Sequence, residues 1–182
     1  MDKTPSLDRR MLIAGGTFLT ASLALPAAGA VPLKDFSFED GRWTVRHRTL
    51  HKRLAGNDAW HEFSGTTEAG PLMGGLGCYE DNILNAPTGR YRAAALRRFD
   101  RETGLWSIWW WDERSSAIDP PVIGKFENGV GTFFGDSVWD GKPIKVCFIW
   151  DMPIPGMPHW QQAFSLDRGV SWETNWYMEF RR

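Results

Sequence analysis

The chain has little with which to hold a metal. It has 2 cysteines and 4 histidines in 182 residues. No Cys-x-x-Cys, His-x-His or His-Glu-x-x-His spacing occurs, so no local ligand set exists. His47 and His51 fall on one strand-like run, which separates their Cα atoms by about 13 Å, too far to share an ion. His61 and His159 lie on different runs and could meet only across strands. Gly74-Gly75-Leu76-Gly77 lacks both the spacing of a phosphate loop and a following helix. No Gly-x-Ser-x-Gly elbow is present. No cofactor and no metal are expected. An excess of one charge is also missing: 21 Lys and Arg face 22 Asp and Glu. Such a balance gives no basic field for a nucleic acid backbone. There is no repeat of solenoid or propeller period and no convincing amphipathic helix.

Long apolar runs are scarce too, and the one that exists is at the start. Residues 1–10 are polar and end in Arg9-Arg10, and Met11 to Leu25 is apolar without a charge. Pro26 breaks the run, and Ala28-Gly29-Ala30 supplies small residues for cleavage. This predicts a secretory signal over 1–30, too short for a comfortable membrane span. Paired arginines before the run resemble a twin-arginine signal, although Asp8 stands where Ser or Thr is usual. The expectation is export by that route to the periplasm, general secretion being the alternative. No membrane anchor would remain after cleavage. The mature part, 31–182, would be one domain with 18 basic and 20 acidic residues. An oxidising compartment permits a Cys78–Cys147 disulfide. Free thiols are favoured, because a twin-arginine substrate folds before it meets the oxidant.

What is abundant is tryptophan and glycine, 11 and 19 residues. Tyr91 to Asp112 sets the pattern. Two alternating runs flank a turn containing Gly104, a β-hairpin pattern whose second arm, Leu-Trp-Ser-Ile-Trp-Trp-Trp-Asp, carries four of the tryptophans. Arg42 to Lys52 alternates Trp43, Val45 and His47 against Arg42, Arg46 and Arg48, a strand with a wet arginine face. Further runs follow between turns at Gly56-Asn57-Asp58, Asn128-Gly129, Asp140-Gly141, the proline-rich 153–158 stretch and Asp167-Arg168-Gly169. About ten short sequential strands predict an all-β, antiparallel up-and-down barrel, because closure removes exposed edges. A barrel of this size can shelter a small ligand.

Phe99-Asp100, a turn, then Trp106 resembles the aromatic-Asp…Trp hairpin of a bacterial calycin-like barrel family of unknown function. The resemblance covers about Gly41 to Arg181. Gly41-Arg42-Trp43 is also similar to the opening motif of lipocalins. That resemblance implies a tryptophan packed beside a basic residue of the last strand, here Arg181 or Arg182. It implies a barrel and no established activity. Ser165-Leu166-Asp167-Arg168-Gly169-Val170-Ser171-Trp172 looks like the Asp-box of sialidases. A single copy on a chain too short for a propeller reads as a structural turn, with Ser165, Asp167, Gly169 and Trp172 as its working residues.

The tryptophans are the best lead to function. Spread over most strands, they either fill the core or line a cavity for a flat or lipophilic ligand. Trp43, Trp60, Trp110, Trp150 and Trp176, with Tyr91, are the aromatic candidates. His47, Glu62, Arg97 and Asp112 are the polar ones, placed by alternation on inward faces. Asp112, on the neighbouring arm, is the expected acidic partner of Arg97. No catalytic residue is assigned. The first reading is a non-catalytic exported barrel that binds a small hydrophobic or aromatic ligand. The alternatives are a pocket enzyme using Glu62, Asp112, Arg97 or His47 as acid-base groups, and a structural envelope or interaction protein.

Overall fold

Period-two alternation along the chain is realised as a closed sheet. In a computed structural model describing residues 34–182, ten strands follow one another: β1 (Gly41–Leu50), β2 (Trp60–Leu72), β3 (Gly77–Ala86), β4 (Gly89–Asp100), β5 (Leu105–Asp112), β6 (Val122–Glu127), β7 (Val130–Trp139), β8 (Lys142–Ile154), β9 (Met157–Ser165) and β10 (Glu173–Arg181). Each pairs antiparallel with its successor, and β10 closes on β1 from Thr44↔Arg181 to Thr49↔Trp176. The all-β, up-and-down barrel is therefore as the pattern predicts. The segment 1–30, where an export signal is expected, lies outside the described residues.

The central hairpin is β4 and β5, in register from Ala93↔Asp112 to Asp100↔Leu105, with Gly104 at φ 70° in its turn. Trp106 and Ile108 are buried, and Trp109 and Trp111 take the opposite face. Cys78 on β3 and Cys147 on β8 are free thiols, both buried.

The two ends of the barrel differ. One end is plugged by residues 34–40, which precede the first strand. Phe36 is buried there, edge-on to Trp106 and to Phe126 with ring centroids 5.0 Å from each. Such aromatic pairs add about 0.5–1.5 kcal/mol each beyond the burial of area. The Trp43 indole donates to the Glu39 carbonyl at 2.6 Å, and the Trp106 indole donates to Asp35 Oδ2 at 2.9 Å. Arg182 lies 4.4 Å over the Trp43 ring and donates to the Asp40 carbonyl at 2.8 Å. The tryptophan-plus-terminal-arginine arrangement implied by the lipocalin-like opening is thus present.

Two expectations about polar residues need correction. Arg97 does not pair with Asp112. It donates to Glu39 Oε2 at 2.6 Å and pairs with Glu80, all three side chains being buried. Asp112 stands opposite Ala93, four residues along β4 from Arg97, and is clamped by Arg114 instead. Nor does Glu62 face inward. It is exposed, bonded to Arg46 at 2.8 Å and beside Arg48 at 3.3 Å on the outer surface. Trp60, on the same side of β2, stacks outside against Tyr177 and Arg48. The inward set on β2 is Phe63, Gly65, Thr67 and Ala69. Alternation specifies two faces; it does not say which is the inner one.

Candidate functional site

At the end opposite the plug, the barrel is hollow. A cavity of about 560 Å³ opens among the β1–β2, β3–β4, β5–β6 and β7–β8 connections. Its floor and walls are inward positions of the strands: Trp160 and Trp176 meet edge-on at 5.5 Å, and Trp110 meets Trp176 edge-on at 5.7 Å. Phe63, Phe148 and Phe164 complete the aromatic lining. Apolar strand residues with alternate positions inward produce this lining without any special motif.

Polar groups gather at the mouth. Asp112 accepts two bonds from the Arg114 guanidinium, at 3.0 and 2.7 Å, and these hold its carboxyl below the usual carboxylate range. Arg114 also lies 3.5 Å over the Tyr91 ring, whose phenol is pushed up by burial. Asp119 lines the mouth, its amide donating to the Trp110 carbonyl at 3.0 Å, and burial together with the nearby Asp112 charge raises its carboxyl. His51 and His61 stack at 3.7 Å between centroids on the rim. Arg53 reaches in from the β1–β2 connection over three rings, 4.8 Å from Trp139, 5.5 Å from Phe164 and 5.6 Å from Trp176.

The sequence-predicted residues divide among four places. Tyr91, Trp110, Asp112 and Trp176 line the cavity together. His47 lies behind the wall, stacked on Phe63 at 4.8 Å, and its Nδ1 accepts a bond from the Trp176 indole at 3.3 Å. Trp43, Trp150 and Arg97 belong to the plugged half, where Trp150 packs on Phe180 at 5.4 Å. Trp60 and Glu62 are outside. Of the four acid-base candidates only Asp112 lines the cavity, so no two of them face one another there.

The Asp-box-like turn joins β9 to β10. Ser165 Oγ donates to Asp167 Oδ1 at 2.7 Å and accepts from the Gly169 amide at 2.8 Å. The Ser171 amide and hydroxyl donate to Asp167 at 2.9 and 2.6 Å. Gly169 has φ 94°, and the Trp172 indole closes the turn on the Gly169 carbonyl at 3.0 Å.

Sequence reading missed Arg53, Arg114, Phe63 and Trp160. Phe63 and Trp160 were legible as inward positions once the parity of their strands is known. Arg53 gave no such sign, because it falls between the Arg42 to Lys52 strand run and the Gly56-Asn57-Asp58 turn. Among the described residues no group of three or more His, Cys, Asp or Glu side chains is placed to hold a metal ion. No family model and no curated protein matches the chain. The closed ten-strand antiparallel barrel is compatible with a calycin-like architecture, and its site is an aromatic-lined cavity with a charged mouth.

Proposed function

We propose that this is an exported calycin-like barrel that binds a small hydrophobic or aromatic ligand in the open half of its interior. The observation that carries the reading is the aromatic cavity of about 560 Å³, inside the range of about 300–1,000 Å³ that small-molecule sites occupy. Its walls are largely apolar, with Gln162 a buried polar exception, and its charged groups converge at one end, which is the arrangement that orients a ligand rather than one that fills a core. The leader-like residues 1–30 support export to the periplasm, by the twin-arginine route.

The test uses phenylnaphthylamine, an uncharged aromatic probe whose fluorescence rises in apolar surroundings. The mature protein is expected to bind it saturably, with quenching of intrinsic tryptophan emission. Val146 points into the cavity from β8. Val146→Trp fills the space and is expected to reduce probe affinity at least about tenfold while the far-ultraviolet β signature persists. No saturable binding by the parent, or undiminished binding by a folded Val146→Trp, would overturn the reading.

A further inference from the structure

Part of the charge lining the cavity mouth is already matched. Arg114 is held by Asp112, and Asp136 is held by Lys145 at 2.7 Å. Glu173 accepts the Leu54 amide at 2.6 Å. Arg53 is different. Among the described residues its guanidinium has neither a hydrogen bond nor a carboxylate at ion-pair distance, and aromatic rings take the place of counterions. Charged side chains bordering an apolar space ordinarily have a partner, since an unmatched one loses hydration without compensation.

The position is built, not incidental. Leu54, next in the chain, has φ 57°, a left-handed conformation that an aliphatic residue adopts only when its surroundings hold it. Its amide is anchored by Glu173, and its side chain packs against the core. Together these fix the loop so that Arg53 turns inward over Trp139 and Trp176. Burial lowers its pKa to about 10, which still leaves it a cation at neutral pH. The other charges within its reach are Tyr91, Arg114 and Glu173, and the first is neutral at that pH.

We infer that the cavity takes an amphipathic monoanion, with a flat or aliphatic body among the indoles and a carboxylate- or sulfonate-type head on the Arg53 guanidinium. The planar fork of donors suits such a head, and the rings beneath keep it preorganised. This assignment rests on the cavity being a binding site, and it adds the charge and orientation of the occupant. The remaining acid lining the mouth is Asp119, whose carboxyl is raised by burial and by the nearby Asp112 charge.

The experiment compares two probes of one skeleton: phenylnaphthylamine, which is neutral, and anilinonaphthalene sulfonate, which adds the anionic head. The mature protein is expected to bind the sulfonate more tightly. Arg53→Gln is expected to weaken the sulfonate at least about tenfold and to change the neutral probe by less than about twofold. Arg53→Lys, which keeps the charge without the fork, is expected to show a smaller loss confined to the sulfonate, and it serves if Arg53→Gln fails to fold. Arg42→Gln, on the outer face, should leave both probes unchanged. Equal effects of Arg53→Gln on the two probes, or none on the sulfonate, would overturn the role of Arg53 while leaving the cavity standing. Failure of the parent to bind the neutral probe would remove both proposals.

Discussion

His47 enters the core as a base. Burial lowers its pKa from 6.5 to about 4, so the ring is neutral at physiological pH and can accept the Trp176 indole proton. In the unfolded chain the ring would take up a proton near 6.5. The folded form therefore binds fewer protons between those values, and its stability declines as pH falls through them. The difference amounts to about 3 kcal/mol, present in full above 6.5 and lost by about 4. Gly65 belongs to the same feature: a Cβ there would lie 2.5 Å from His47 Nε2, so a bare backbone is what lets the imidazole in. In urea unfolding the parent is expected to lose stability between pH 6.5 and 4 that His47→Gln, without the titrating ring, does not lose. Two parallel pH profiles would show that His47 does not make this contribution.

Whole elements, by contrast, were largely legible beforehand. Runs such as Arg42 to Lys52 alternate so regularly that a strand and its wet arginine face can be read directly, and Asn128-Gly129 and Asp140-Gly141 punctuate the hairpins where the structure turns. What could not be read is orientation. Trp60 and Phe63 have opposite parity on β2, and both are large and aromatic, so local pattern does not decide which goes inside. The plug at 34–40 was hidden for a different reason: its Phe36 and Glu39 find their partners on β4, β5 and β6, far along the chain. Of the site, the half contributed by strands could be inferred, and the half contributed by loops could not.

The β9–β10 turn tests how far one such element is set by its own residues. Its Asp167 accepts from Ser171 and Ser165, and these bonds hold the carboxyl far below its ordinary value of 3.8. A depressed folded pKa means that the contribution is present above 3.8 and fades as pH falls through the lower folded value. Asp167→Asn keeps the shape and removes the charge. It is expected to lower the Tm at neutral pH, with the deficit shrinking below about pH 3.8. A Tm difference that does not change with pH would assign the turn's stability to shape alone.

At the scale of the molecule the barrel is closed unevenly. β7 and β8 are paired from Gly131↔Trp150 to Trp139↔Lys142, and β3 and β4 from Gly77↔Arg98 to Ala86↔Gly89. β5 and β6 are paired only from Trp106↔Gly124 to Ile108↔Val122. The remaining length of β5, including Trp110 and Asp112, is flanked on that side by the loop 113–121 rather than by a strand. This seam borders the cavity, since Ile108, Trp110 and Val122 all line it. A short ladder leaves few backbone bonds to break, so local opening there costs less than opening elsewhere in the sheet. Amide hydrogens of 122–127 are therefore expected to exchange faster than those of 144–150 in the free protein. Because a ligand that binds the closed cavity stabilises that state by mass action, saturating phenylnaphthylamine should slow exchange most at this seam. Uniform slowing around the whole barrel would instead mean that exchange proceeds through global unfolding. Protection confined to the plugged half would place the probe outside the cavity.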